Sequence, residues 1–191
     1  MPWYPVEVYE EHYLRSDDPL GQSGFGGDED RWEAARRPIV EAIDCDGTFL
    51  DAGCANGYLM ECVRRWSPHR VEPYGLDFSP RLVALARSRL PRWADRIFLG
   101  DALEWESPRR FDFVRTELVY APEDRQCELV ERLLGFSRRL IVCGYGSGRS
   151  GVPAKPVGPI LREWGFEPIF ELSRDDPEGG GPLLQLAVLG T

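Results

Sequence analysis

The chain has 191 residues, 42% of them hydrophobic, and 32 Asp and Glu outnumber 23 Lys and Arg to leave a formal net charge of −9. That length supports one core rather than two ordinary domains, so residues 1–191 are expected to fold as a single domain. The acidic balance argues against nucleic acid, whose affinity comes largely from Lys and Arg neutralising phosphates. No apolar run approaches the roughly 20 residues of a membrane span, and Met1-Pro2-Trp3-Tyr4-Pro5 lacks the pattern of a signal peptide. A soluble, cytoplasmic protein with no membrane partner is expected. Cys45, Cys54, Cys62, Cys127 and Cys143 are odd in number with no C-x-x-C pair, which reads as reduced thiols, mostly in the core. His12 and His69 stand far apart with no carboxylate spaced as a co-ligand, so no metal is predicted.

Residues 28–43 have helical period at Trp32, Ala35, Ile39 and Ile43, begin with acids that suit a helix dipole, and contain Pro38, which must kink or divide the helix. From Thr48 short β-branched or aromatic runs alternate with helical segments, the signature of βαβ units and a mostly parallel sheet. Strands are predicted at 48–51, 74–77, 97–99, 111–114 and 140–143. The first intervening helix carries Leu59, Cys62, Val63 and Trp66 on one face. A second is started by Ser79-Pro80 and buries Leu82, Leu85, Ala86 and Leu90. A third, between 122 and 134, turns Cys127, Val130 and Leu134 to one side.

Beyond a Gly- and Pro-rich stretch at 144–156, a short helix near 160–164 is stopped by Gly165, and strands at 168–172 and 183–189 should pair as a hairpin. The expected whole is a doubly wound α/β fold with a mostly parallel seven-stranded sheet, helices on both faces and a C-terminal antiparallel hairpin. An N-terminal helical cap over 1–46 precedes a core at 47–143 and the helix-plus-hairpin ending at 144–191.

In open parallel sheets ligands bind beyond the carboxyl ends of the strands. After the first strand stands Asp51-Ala52-Gly53-Cys54-Ala55-Asn56-Gly57, small residues that let backbone approach a ligand at a helix N-terminus, or merely make a tight βα connection. Asp77 ends the second strand at the spacing from Gly53 that suits a carboxylate on ribose hydroxyls, though a helix-capping acid is the plainer reading. Asp101 ends the third strand, where it can face an adenine amino group or simply close a turn.

Taken together, these strand ends resemble the class I methyltransferases that use S-adenosylmethionine. The acidic first motif matches Asp51 through Gly57, the ribose acid matches Asp77 followed by Phe78, and the adenine-side acid matches Asp101 within Gly100-Asp101-Ala102. The similarity spans about residues 48–143. It implies S-adenosylmethionine as cofactor, methyl transfer to a small-molecule acceptor, and a cofactor site that includes Thr116 after the fourth strand. Ala55 departs from the family's usual glycine and is expected to narrow the approach without abolishing the site.

A nicotinamide G-x-G-x-x-G beginning at Gly53 fails at Ala55 and Tyr58, which disfavours an oxidoreductase. The run from Gly146 to Gly151 has those letters but is followed by prolines, and reads as a flexible loop beside the site. A regulatory protein that binds the cofactor without turning it over remains the other alternative.

On the acceptor side, Glu117 is a candidate base or amine-orienting group and Tyr120 a candidate stacking residue, or both are ordinary loop residues. The segment containing Trp3, Tyr4, Tyr9, Tyr13 and Phe25, with a Gly-rich run at 21–27, is either a lid over the cofactor or a helix packed on the sheet edge. Arg37 is a candidate for gripping the methionyl carboxylate.

Overall fold

The computed structural model describes residues 5–24, 28–146, 153–177, 179 and 181–190. The calls on Trp3, Tyr4, Phe25 and most of the 146–151 run lie outside these residues. Helix α1 (Val6–Tyr13) is followed by α2 (Glu29–Arg36), capped by the Asp28 carboxylate, which accepts the Arg31 N–H. Pro38 ends the α-helical hydrogen bonding there: residues 37–42 continue as a 3₁₀ turn with the proline at its start. Trp32, Ala35, Ile39 and Ile43 all reach the core, as their spacing predicts.

Seven strands follow: β1 (Gly47–Ala52), β2 (Val71–Asp77), β3 (Ile97–Leu99), β4 (Phe111–Glu117), β5 (Ser137–Tyr145), β6 (Phe170–Asp175) and β7 (Pro182–Gly190). Their order is β3-β2-β1-β4-β5-β7-β6, so strand order reverses between β1 and β4, the place where such sheets hold ligands. β1 to β5 are parallel. β7 runs antiparallel between β5 and β6, which makes the C-terminal hairpin a reversed edge. The hairpin loop is tied back to the N-terminal region by Arg31, whose guanidinium grips the Asp176 carboxylate.

Helix α3 (Tyr58–Trp66) buries Leu59, Met60, Cys62 and Val63; α4 (Pro80–Arg89) is capped by Ser79, whose Oγ accepts the Leu82 N–H at 3.1 Å. α4 buries Val83 beside Leu82 and Ala86, while Leu85 is only half-buried. α5 (Gln126–Gly135) is rotated from the expected stripe: Leu129, Val130 and Leu133 are buried, whereas Cys127 and Leu134 lie at the margin. α6 (Val157–Glu163) closes at Gly165, whose φ of +87° suits a residue without Cβ. Two apolar layers flank the sheet, one containing Leu50, Val114 and Leu140, the other Phe49, Phe113 and Ile141, because strand residues alternate between faces.

Candidate active site

The loop after β1 is bent by backbone in the left-handed region at Gly53 (φ +89°), Ala55 (φ +45°) and Gly57 (φ +76°). Glycine adopts this region freely and alanine does not. A Cβ on Gly53 would lie 2.4 Å from the Tyr120 ring, so the bare backbone there lets the turn after β4 close against the loop. A Cβ on Gly57 would strike Leu90 instead, so that glycine serves packing.

Asp77, 6% exposed, reaches across from β2: its Oδ2 accepts the Ala55 N–H at 2.8 Å and its Oδ1 the Ser79 N–H at 2.9 Å. Burial pushes this carboxyl up to about 6 despite those donors. A carboxylate offers about four acceptor sites, so these backbone donors leave capacity for a ligand. Asp77, Phe78, Leu82, Gly100, Asp101, Ala102 and Gly53 line a narrow cleft, covered by Tyr9, Tyr13 and Tyr120. Asp101 is anchored by the Leu103 N–H, which its Oδ1 accepts at 2.9 Å.

A second space of about 930 Å³ shares Tyr9, Tyr13, Gly53 and Tyr120 with the first and continues past Asp51, Cys54 and Ala55 to Trp32, Arg36, Arg115, Glu117 and Tyr145. Arg115, 2% exposed in β4, stands opposite Asp51 in the register. Its Nη1 donates to Asp51 Oδ1 and to Tyr120 Oη, both at 3.2 Å; its Nη2 donates to Glu117 Oε1 at 2.5 Å and to Tyr145 Oη at 3.1 Å. The Tyr120 hydroxyl in turn donates to Glu117 Oε1 at 2.7 Å. Burial raises Asp51 to about 6 even with Arg115 beside it. Cys54 is held well above the ordinary thiol range by burial and by the charges of Asp77 and Asp51.

The N-terminal segment crosses this mouth. Glu10, buried, accepts the Ser79 hydroxyl at 2.7 Å; Tyr9 meets Phe78 edge to face at 5.1 Å; and Asn56 Nδ2 donates to the Pro19 carbonyl at 2.8 Å. Asn56 is thus spent on tethering that segment. Ala52 and Thr116 are fully buried and outside both spaces, Thr116 because it alternates to the opposite face of β4 from Arg115 and Glu117. Arg37 points outward, with its side chain 62% exposed, and donates to Glu33 at 2.7 Å. Its neighbour Arg36 is the arginine in the cleft, stacked 4.4 Å over the Tyr145 ring. Trp32 lines the same space, and its buried indole N–H has no hydrogen-bond partner among the described residues.

Residues 49–136 match the family model described as a methyltransferase domain. Over these residues, just under half of the chain, the protein is similar to that family. A trans-aconitate 2-methyltransferase of Methylobacterium radiotolerans is 31% identical over 112 residues, 56% of this chain and 42% of that protein. The chain therefore spans well under half the length of that curated relative. The methyltransferase fold extends to the remaining strands. The N-methyltransferase NodS of Bradyrhizobium japonicum, solved with S-adenosylhomocysteine, superposes with a TM-score of 0.66 over 97% of each chain at 16% identity. The 1,6-didemethyltoxoflavin-N1-methyltransferase of Burkholderia thailandensis gives 0.60 over 100% of this chain and 92% of its own, at 18% identity.

Proposed function

We propose that this chain binds S-adenosylmethionine and transfers its methyl group to a small-molecule acceptor. The observation that carries the reading is the convergence of Asp51, Asp77 and Asp101, from the ends of three adjacent strands, on two spaces that share Gly53, Tyr9, Tyr13 and Tyr120 in their lining. The residues fit the cofactor in both its halves. Asp77 would receive the ribose hydroxyls, Asp101 the adenine edge, and Phe78, Leu82 and Ala102 the apolar ring faces. At the amino-acid end, Asp51 would receive the ammonium, while Arg36 and the unpartnered Trp32 N–H suit the carboxylate.

The cofactor supplies a methyl group already activated on a sulfonium. The protein's task is therefore to align the acceptor and exclude water, which can lower a barrier by roughly 7–11 kcal/mol without a dedicated base. Glu117 and Tyr120 are the proposed acceptor-side pair: Glu117 carries the negative charge, and Tyr120 both fixes it and walls the space between the two halves. The relatives are named for methylating small molecules, and a net charge of −9 suits such an acceptor better than nucleic acid. Cys45, Cys54, Cys62, Cys127 and Cys143 all stand as free thiols, in keeping with a reducing compartment such as the cytoplasm.

The test is a thermal melt and a calorimetric titration with S-adenosylmethionine and S-adenosylhomocysteine. At a hundredfold excess over Kd, a ligand selective for the folded state adds about 2.7 kcal/mol of stability. An unmoved melt together with no heat of binding, for either compound at about millimolar concentration, sinks the reading. Binding without any methylated product across acceptor classes would favour a regulatory role.

A further inference from the structure

A guanidinium within the interior of a parallel sheet is stable only if its charge and donors are met on the spot. Arg115 meets its charge and its two Nη groups with groups from three strands and the turn after β4: Asp51 from β1, Glu117 beside it in β4, Tyr145 from β5 and Tyr120 from the turn, while its Nε–H has no partner among the described residues. No sequence motif marks this residue. Among the described residues, Asp51, 1% exposed, has Arg115 as its only side-chain hydrogen-bond partner. We propose that Arg115 is a positioning residue for Asp51, fixing that carboxylate, in ionised form, where the cofactor's ammonium end is received. The inference rests on the S-adenosylmethionine reading and assigns Arg115 no contact with the cofactor.

The groups around Asp51 decide the sign. Arg115 favours its charge; Glu117 from β4 and Asp77 from β2 oppose it, as does burial. Tyr120 and Cys54 flank it as neutral groups held protonated by burial, and Tyr13, Arg36 and Tyr145 face the same space from α1, α2 and β5. Without the guanidinium, burial and the charges of Glu117 and Asp77 push Asp51 toward its neutral form, with Arg36 across the space as the remaining cation. Cofactor affinity should then become pH-dependent across the neutral range.

The experiment measures the Kd of S-adenosylhomocysteine by calorimetry from about pH 5 to about pH 9 for the unaltered protein, Arg115→Met, Arg115→Lys, Asp51→Asn and the Asp51→Asn/Arg115→Met double variant. For the unaltered protein, affinity should be constant above neutrality and fall below about pH 6, where Asp51 and Asp77 take up protons. Arg115→Met should move that fall upward by about two pH units, weakening binding about tenfold near pH 7, with recovery at high pH. Arg115→Lys should restore the original profile. On the Asp51→Asn background, Arg115→Met should change Kd by less than about threefold, because the group it acts through is already neutral.

A folded Arg115→Met protein with an unshifted profile overturns the proposal, as does Arg115→Lys behaving like Arg115→Met. Should Arg115→Met fail to fold, the double variant decides, since it buries no unmatched charge at Asp51. Binding much weaker than that of Asp51→Asn then shows that Arg115 acts by another route. Absence of binding by the unaltered protein at every pH would instead sink the cofactor reading itself, so the two failures are distinguishable.

Discussion

The carboxylate of Asp77 holds the backbone N–H of Ala55 at 2.8 Å, joining the end of β2 to the loop after β1 through a single side chain. The same carboxylate accepts the Ser79 N–H, so it braces two loops while facing the cleft. Bracing and the proposed ligand binding would therefore be joint roles of one residue. Asp77→Ala should weaken S-adenosylhomocysteine binding by about tenfold or more, and should also lower stability by about 1–3 kcal/mol through the orphaned donors. Asp77→Asn should fall between, since one amide oxygen still accepts. Loss of stability with native affinity would leave Asp77 as a brace alone.

Ala55 sits at φ +45°, where an L residue costs about 1–2 kcal/mol and glycine costs nothing sterically. Glycine's extra unfolded-state freedom offsets roughly 0.5–1 kcal/mol of that gain. Ala55→Gly should therefore raise stability by about 0.5–1 kcal/mol at unchanged or improved cofactor affinity. A lower melting temperature would show that the buried Ala55 methyl contributes more by packing than its backbone loses by strain.

Burial raises both Asp51 and Asp77 to about 6. An ordinary carboxylate in the unfolded chain ionises near 3.9, so between about pH 4 and pH 6 the folded protein binds more protons than the unfolded one. These two groups thus make stability fall as pH rises through that window and level off above it, by on the order of 1–3 kcal/mol per group. Melts of the ligand-free protein across the window should show Asp51→Asn and Asp77→Asn with a flatter slope than the unaltered chain. An identical slope in all three would contradict the raised values.

Adjacent arginines offer an internal control. Arg36 lines the cleft beside Trp32, whereas Arg37 lies outside paired with Glu33. Arg36→Ala should weaken cofactor binding by about tenfold, as expected for a lost charge-assisted contact, and Arg37→Ala by less than about twofold. Equal effects in calorimetry would show that neither grips the carboxylate.

The segment before Asp28 meets the cleft through Tyr9, Glu10, Tyr13 and the Pro19 carbonyl. Removing it should weaken cofactor binding about tenfold while far-UV dichroism still reports a folded sheet. Unchanged affinity in a folded truncation would reduce the segment to packing.

The strands were legible because each is a short apolar run ending in a polar residue, and Asp51, Asp77 and Asp101 could be placed at a common edge from sequence spacing. Arg115 and Tyr145 gave no such signal: an arginine inside an apolar strand and a tyrosine at the end of another acquire their meaning only once β4 lies between β1 and β5. Arg36 and Arg37 are equivalent in composition. What separates them is the rotation of about 100° per helical residue, which puts Arg36, four residues after Trp32, on the Trp32 side of α2 and turns Arg37 away from it. Asn56 looked like part of the cofactor loop because its partner, Pro19, is distant in sequence. The rotation of α5 relative to its expected stripe reflects how the helix lies on the sheet, which periodicity alone does not fix.

Cys54 carries a consequence for a protein proposed to hold an alkylating agent. Cys54 lines the second space, near the loop where the sulfonium would sit, and a thiolate at this position would be a competing nucleophile for the methyl group. Burial and the adjacent charges of Asp77 and Asp51 keep that sulfur protonated. The acids proposed to grip the methyl donor thereby also protect the protein from alkylating itself.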